Sequence, residues 1–202
     1  RVWDIEFKPV SDGATREAGL RQVDHLSQSM MYDEMLSWLP FYTSLLEVDK
    51  VPEQEVLDPG GLVKSQVVHS KDGLLRIVLN ASQSSRTQSS RFLSEAFGSG
   101  VQHIALATAD IVATANQFRA NGVDLLPVPE NYYDDLEAKT DLDPATIDTL
   151  RANGIFYDRD GDSEYFQIYT RTVEDRFFFE IVERRGYEGY GAVNAPVRLA
   201  SQ

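Results

Sequence analysis

The chain has 202 residues, of which 42% are apolar and 25% charged, which is enough for one sizeable domain or two small modules that share a core. It contains no cysteine, which excludes disulfides, thiol nucleophiles and metal centres built on cysteine. The formal net charge of −13 argues against nucleic acid as a partner, because phosphate binding needs clustered lysine and arginine.

No stretch of the sequence approaches the run of ~18 apolar residues that a membrane-spanning helix needs, so we expect no membrane partner. The first residues, Arg-Val-Trp-Asp, lack the apolar stretch and the small-residue cleavage site of a signal peptide. Together with the absence of cysteine, this favours a cytoplasmic location. The chain does not begin with methionine, so we expect that it is a piece of a longer protein.

The first half of the chain predicts a strand, a helix and three further strands. Residues 1–19 are polar and mixed, with a turn signal at Asp12-Gly13, and we interpret them as a leading segment or linker. Apolar residues at helical spacing predict the helix, and Pro40 inside it predicts a kink or a break into two parts. The strands are predicted from alternation and from the hairpin signal at 70–73. These elements fall at residues 20–26, 32–46, 46–48, 62–68 and 74–79, followed by a short helix at 87–97.

The second half repeats this order. Alternating residues predict a strand at 101–108, and Asp110 is placed to cap a helix that Asn121-Gly122 ends. An acidic insertion at 127–153 predicts two short helices, the second of which begins at Asp143-Pro144. Three strands follow, at residues 155–158, 165–170 and 176–182.

The two halves also open on a similar sequence. Val23-Asp24-His25-Leu26 begins the first half, and Val101-Gln102-His103-Ile104 begins the second. An internal duplication constrains the architecture of the whole chain. We therefore predict an α+β fold of two tandem βαβββ modules, with residues 20–100 in the first, 101–194 in the second and 195–202 as a short C-terminal tail.

Two of the three histidines, His25 and His103, occupy the same position in the two repeats. If the modules pack about a pseudo-twofold axis, both imidazoles face inward, although a strand histidine is more commonly a hydrogen-bonded core residue. A carboxylate on the last strand would complete a three-ligand face of the kind suited to Fe(II). Alternation leaves Glu180 and Glu183 as alternatives, and Glu183, beside two arginines, is expected to be solvated. His69 lies at a predicted hairpin tip and is interpreted as a surface residue.

Four segments carry a resemblance to a known family: Gly100-Val101-Gln102-His103-Ile104-Ala105-Leu106, Pro129-Glu130-Asn131-Tyr132-Tyr133, Phe166-Gln167-Ile168-Tyr169-Thr170 and Phe178-Phe179-Glu180-Ile181-Val182-Glu183-Arg184. On these residues the chain resembles the catalytic C-terminal half of 4-hydroxyphenylpyruvate dioxygenase, in the vicinal oxygen chelate (glyoxalase-like) superfamily. The resemblance implies a strongly curved mixed sheet around a metal site. It places the iron ligands on His25, His103 and Glu180, and so selects Glu180 over Glu183.

The resemblance also implies a set of side chains around the substrate. The matching positions carry Ser65, Asn80, Gln88, Gln102 and Gln167. The amides would orient a substrate without competing for iron, and Tyr169 would offer an aromatic wall. Ala81 departs from the family, which has a glutamate at that position.

The activity implied by the resemblance is that of an Fe(II)-dependent dioxygenase of aromatic catabolism, which uses O2 to decarboxylate and hydroxylate a 2-oxo acid. Other divalent metals such as Mg, Mn, Co or Zn are expected to be able to occupy the site in a purified sample. We also expect that the chain can form homo-oligomers. An extradiol dioxygenase and a glyoxalase-type isomerase are weaker alternatives, since the isomerase needs a fourth protein ligand that the sequence does not place.

The C-terminal tail departs from the dioxygenase family. Where the family has Gly-Asn-Phe and then a helix, this chain has Asn194-Ala195-Pro196, so the phenylalanine that covers an aromatic substrate is replaced and Pro196 argues against a long helix. The tail is more similar to the dioxygenase-like domain fused behind a TIM barrel in 3-dehydroshikimate dehydratases. This similarity gives a second hypothesis, a metal-binding accessory domain of a fused dehydratase with little or no dioxygenase activity of its own.

Overall fold

A computed structural model describes residues 2–8, 16–174 and 176–202 of the chain. The predicted turn at Asp12-Gly13 lies outside the described residues. The strands in the described part are β1 (Leu20–Met31), β2 (Val48–Lys50), β3 (Gln54–Asp58), β4 (Gly61–Ser70), β5 (Arg76–Ser82), β6 (Gly100–Thr108), β7 (Phe156–Asp160), β8 (Ser163–Tyr169) and β9 (Phe178–Arg185). The helices there are α1 (Val2–Glu6), α2 (Tyr32–Leu45), α3 (Gln88–Glu95), α4 (Ile111–Ala120), α5 (Glu130–Lys139), α6 (Pro144–Asn153) and α7 (Ala195–Ser201).

The strands form one sheet in which the two modules meet at the centre. The order is β2-β4-β5-β1-β6-β9-β8-β7, with β3 also paired to β4. At the centre β1 and β6 are antiparallel, and each has a parallel neighbour from its own module, β5 beside β1 and β9 beside β6. Antiparallel strands continue outward on both sides. The predicted α+β fold of two βαβββ modules in a curved mixed sheet is therefore confirmed.

The outer strand of the first module is interrupted. β2 and β3 pair with opposite ends of β4, with Lys50 opposite Val68 and Gln54 opposite Ser65. Pro52 lies between them and has no N–H to give to a strand ladder. Sequence patterns predicted a single short strand at 46–48 and did not reveal β3, because an edge strand that is mostly exposed on both faces has little hydrophobic alternation.

The helices begin at residues that can cap them. The side chains of Thr87, Asp110 and Asp143 accept the backbone N–H of the residue three positions on, at the starts of α3, α4 and α6. The cap predicted at Asp110 and the helix start predicted at Asp143-Pro144 are confirmed. α2 continues through Pro40 as one helix, so the expected break into two parts is wrong.

The C-terminal tail forms the short helix α7. Pro196 lies in its first turn, where a missing backbone N–H costs no helical hydrogen bond. The proline therefore starts this helix rather than preventing it.

The two modules differ in the size of their apolar cores. In the second module α4, α5 and α6 pack on the sheet around a large buried cluster that includes Phe118, Tyr133 and Ile181. In the first, a smaller cluster forms around Met35, Val68 and Leu79, while α2 leaves several large apolar side chains exposed, namely Leu36, Trp38, Phe41 and Leu45. Among the helices of the described residues, none combines the length and the hydrophobicity needed to cross a membrane.

Candidate metal centre

The central strands bring the three predicted metal ligands to one face of the sheet. His25 lies on β1, His103 on β6 and Glu180 on β9. Ala105 of β6 pairs with His25 of β1 on one side and with Glu180 of β9 on the other. The side chains of His25 and Glu180 therefore flank a small residue. Directly opposed residues share a face of a sheet, and the small alanine between them leaves room for both.

The donor atoms of this triad converge on one point. His25 Nε2 lies 3.4 Å and His103 Nε2 lies 3.3 Å from Glu180 Oε2. All three side chains are buried, and their possible ligand atoms lie within 4.8 Å of one another. Metal–ligand bonds of about 2.1 Å at right angles would separate neighbouring donor atoms by about 3 Å. The three residues therefore fit a single divalent ion bound through one face.

Glu180 is held so that one oxygen is free to face the imidazoles. Its Oε1 accepts hydrogen bonds from Gln167 Nε2 at 2.8 Å, from the Tyr169 hydroxyl at 3.3 Å and from the Tyr165 hydroxyl at 3.4 Å. Burial alone would raise the pKa of Glu180, but the charge of His25 and hydrogen bonds from both imidazoles hold this pKa well below its usual range. Glu180 is therefore an ionised carboxylate that offers Oε2 as a single donor atom.

His25 is oriented by a buried carboxylate beside it in the sequence. Its Nδ1 lies 2.8 Å from Asp24 Oδ1, which can only accept, so one ring proton sits on Nδ1. The charges of Glu180 and Asp24 raise the pKa of His25 against the effect of burial, so a metal would displace the second proton, from Nε2, and would bind the lone pair that then faces the triad. Adjacent strand residues normally point to opposite faces, but the pairing of β1 with β6 skips Asp24 between Val23 and His25. This bulge turns Asp24 toward the same side as His25.

Arg184 in turn fixes Asp24. Its guanidinium donates to both carboxylate oxygens, at 2.8 and 2.9 Å, and also to the carbonyl oxygens of Tyr187 and Gly189 at 3.0 and 2.6 Å. Burial alone would raise the pKa of Asp24, but the hydrogen bonds to His25 and Arg184 lower it far below its usual range. Carboxylates that accept the second ring proton of a ligating histidine fix its tautomer and raise its basicity.

His103 lies in a more apolar setting. Its ring stacks on Phe178 with the centroids 4.6 Å apart, and its buried Nδ1 has no hydrogen-bond partner among the described residues. Burial, the largest effect, lowers the pKa of His103 to about 4 in spite of the neighbouring carboxylate. This imidazole is therefore neutral near pH 7, which is the state that a metal ligand requires.

The six predicted substrate residues fall into three groups. Asn80, Gln88 and Gln102 line a cavity of about 60 Å³ beside His103. Ser65 instead lines a wider groove of about 440 Å³. The remaining two, Gln167 and Tyr169, bond to Glu180 and to each other.

One further sequence-based expectation is wrong. Glu183, expected to be solvated, is 5% exposed, and its Oε2 accepts the backbone N–H of Ile111 at the start of α4. The two arginines that follow Glu183 made it look exposed in sequence. His69, expected on the surface at a hairpin tip, lies near the end of β4, is half-buried and lines the same groove as Ser65.

Several supporting residues were missed by sequence reasoning. Asn194 donates to Gln167 Oε1 at 2.9 Å, which turns the amide nitrogen of Gln167 toward Glu180. Gly191 lies so close that a Cβ there would be 2.2 Å from Gln167 Oε1, and its φ of +59° is one that side chains rarely adopt. The only signal for Asp24 in the sequence was its position next to the predicted ligand His25. The only signal for Arg184 was its position on the same predicted strand segment as Glu180.

The fold and the donor set together define a protein of the vicinal oxygen chelate type, a class built on paired βαβββ modules. Residues 22–161 match the Glyoxalase/Bleomycin resistance protein/Dioxygenase superfamily, and the chain belongs to that superfamily.

The relatives divide into two kinds. A 3-dehydroshikimate dehydratase of Pseudomonas aeruginosa is 44% identical over 99% of this chain, which covers 32% of the relative. A 4-hydroxyphenylpyruvate dioxygenase of Legionella pneumophila is 32% identical over 87% of this chain, which covers 51% of that protein. A solved structure described as a xylose isomerase-like TIM barrel/4-hydroxyphenylpyruvate dioxygenase fusion protein matches 96% of this chain and 30% of its own, with 38% identity and a TM-score of 0.77. Both resemblances found in the sequence are thereby confirmed.

Proposed function

We propose that this chain is an Fe(II)-dependent dioxygenase domain that acts on a 2-oxo acid. The observation that carries the proposal is the convergence of two imidazole nitrogens and one carboxylate oxygen, from His25, His103 and Glu180, at separations of 3.3 and 3.4 Å. Two histidines and one carboxylate with open positions beside them are the ligand set of non-haem Fe(II) oxygenases. The similarity to 4-hydroxyphenylpyruvate dioxygenases supports the same reaction class.

Fe(II) held by His25, His103 and Glu180 would supply the oxidative decarboxylation and hydroxylation of a 2-oxo acid with O2. The residues of the chain would do the rest. Asp24 keeps the lone pair of His25 Nε2 directed at the site, and three donors on Glu180 Oε1 limit that carboxylate to one donor atom. The amides of Gln88 and Gln102 are neutral, so they can orient a substrate without replacing it on the metal.

The test is oxygen uptake and carbon dioxide release by the purified chain with Fe(II) and a panel of 2-oxo acids that includes 4-hydroxyphenylpyruvate. We expect turnover with at least one acid, and its loss in His25→Ala. His69→Ala is the matched control, because His69 is the remaining histidine and its imidazole lies within hydrogen-bond distance of the Ser70 carbonyl rather than of the triad. Full iron loading without turnover of any acid would contradict the proposal.

A second candidate function is favoured by one specific observation. The dehydratase of Pseudomonas aeruginosa is the more similar of the two kinds of relative, and this chain covers only 32% of it. The chain would then be a metal-binding accessory domain that stabilises or oligomerises a fused dehydratase. Comparing the dehydratase activity and oligomeric state of the full-length protein with and without this domain tests the idea. Unchanged activity and unchanged assembly would remove it.

A further inference from the structure

We propose that the site binds a small, non-aromatic 2-oxo acid with a second carboxylate, which Arg198 recognises. The inference rests on the proposed function for the metal-bound end of the ligand. It differs from that proposal in naming the chemistry of the other end. A 2-oxo dicarboxylate is favoured over an aryl pyruvate by the position of Arg198, by its lack of a counter-charge and by the small size of the cavity.

Arg198 covers the aromatic wall beside the triad. Its guanidinium carbon lies 5.3 Å from the ring centroid of Tyr169 and 5.4 Å from that of Phe178. Phe178 itself stacks on His103, so this wall adjoins the ligand set directly. Guanidinium groups stack on aromatic faces, and a face already covered in this way is not free for the ring of an aryl substrate.

The charge of Arg198 is not balanced by a neighbouring carboxylate. Within the described residues its guanidinium makes no ion pair, and its hydrogen bond is to the Gln202 amide oxygen at 3.2 Å. The other partly buried arginines in the described part of the chain have carboxylate partners, namely Arg76, Arg151 and Arg184. A partly desolvated cation without an anion gains from binding one, and the planar fork of arginine suits a carboxylate.

The cavity that Arg198 borders is small. Its volume is about 60 Å³, and beside His103 its lining combines the polar side chains of Asn80, Gln88 and Gln102 with the apolar side chains of Val56, Val63 and Leu199. Pockets for drug-sized aromatic ligands run from ~300 Å³ upward, so a compact ligand fits this site better.

One acidic residue, Asp58, also lines the cavity, but both of its carboxylate oxygens already accept hydrogen bonds. Its two carboxylate oxygens accept the backbone N–H groups of Gly60 and Gln88, at 2.7 and 2.9 Å. It forms no ion pair with Arg198 among the described contacts. Asp58 therefore fixes the start of α3 and leaves Arg198 as the recognition group for an anion.

The experiment measures binding rather than turnover. The chain is loaded with Co(II), and its visible absorption is titrated without oxygen with 2-oxoglutarate, pyruvate and phenylpyruvate. We expect 2-oxoglutarate to bind about tenfold or more tightly than phenylpyruvate, as a charge-assisted hydrogen-bond pair would provide. Arg198→Leu should weaken 2-oxoglutarate by about tenfold or more and leave pyruvate within about twofold, because pyruvate has no second carboxylate.

Two further variants keep the result interpretable. Arg198→Lys keeps the charge and should retain part of the preference, so it serves if the leucine variant misfolds. Arg171→Leu is the matched control, since Arg171 is exposed and pairs with Asp124 at the surface. Tighter binding of phenylpyruvate, or an unchanged preference in Arg198→Leu, would overturn the role of Arg198 and leave the dioxygenase proposal standing. A Co(II)-loaded chain that responds to none of the three acids would instead overturn the dioxygenase proposal, and this inference with it.

Discussion

The two modules place their histidine ligands on equivalent strands but hold their ligands by different means. In the first module the imidazole of His25 hydrogen-bonds to one carboxylate, Asp24, which Arg184 of the second module fixes. In the second module Glu180 Oε1 is held by three separate donors from β8, and His103 is held by stacking on Phe178. A duplicated backbone therefore gives equivalent positions, whereas the contacts that set each ligand's affinity are specific to each half.

The largest effect on metal affinity is expected from removing the negative charge of Glu180, which lies close to the histidines of both modules. Glu180→Gln should weaken divalent-metal binding by more than ~100-fold, beyond the 10–100-fold typical of residues that only support a ligand. Competition titration with a Co(II) chelator measures it. Glu183→Gln is the matched control, because Glu183 lies on the same strand but caps α4 at Ile111. It should keep metal affinity within about threefold and lower stability through that cap instead. Equal losses of affinity in both variants would contradict the assignment of Glu180.

The next largest effect is expected from a change that tests whether His25 and His103 are held by different contacts. Asp24→Asn should reduce metal affinity by about 10–100-fold. The new side-chain amide would not fix the tautomer of His25, and Arg184 would lose its counter-charge. Gln102 precedes His103 just as Asp24 precedes His25, so Gln102→Asn is the matched change in the other module. Because His103 Nδ1 has no partner to lose, Gln102→Asn should alter affinity by less than about threefold. Similar losses from both changes would mean that the two histidines are held alike.

The sequence predicted the positions of this site better than its contacts. The repeat around His25 and His103 gave their place on the central strands, and hydrophobic periodicity gave nearly every element of both modules. The role of Asp24 was hidden, because adjacent strand residues point apart unless a bulge intervenes, and no local pattern marks this one. Gln167 was assigned to substrate, yet its direction is set by Asn194 in the distant tail. Contacts between residues far apart in the chain are beyond the reach of periodicity.

The contact between this C-terminal segment and Gln167 can be broken by a substitution at Gly191. In Gly191→Ala the new Cβ would meet the Gln167 side chain at 2.2 Å with φ at +59°, so both a clash and a strained backbone are introduced. Gly122→Ala has a similar φ of +79° but nothing within 4 Å, and so isolates the strain alone. We expect Gly122→Ala to cost roughly 1 kcal/mol in urea unfolding, and Gly191→Ala to cost about 1–2 kcal/mol more. Equal costs would mean that the tail does not press on Gln167.

The smallest effect on metal affinity is expected from removing one of the several hydrogen-bond donors that hold Glu180 Oε1 in the second module. The Tyr165 hydroxyl lies 3.4 Å from Glu180 Oε1, whereas Gln167 Nε2 lies at 2.8 Å, so the tyrosine makes the weaker hydrogen bond. Tyr165→Phe should therefore change metal affinity by less than about threefold, since Gln167 and Tyr169 still hold the carboxylate.

Gln167→Leu removes the shorter hydrogen bond, and it should lower metal affinity more than Tyr165→Phe does in the same chelator titration. If Tyr165→Phe alone weakened metal binding as much as Asp24→Asn, the support of Glu180 would not be shared among its donors. The contrast between one support for His25 and several for Glu180 would then fail. A small loss from Tyr165→Phe beside a large one from Asp24→Asn would instead locate the sensitivity of the site in the single carboxylate that links the two modules.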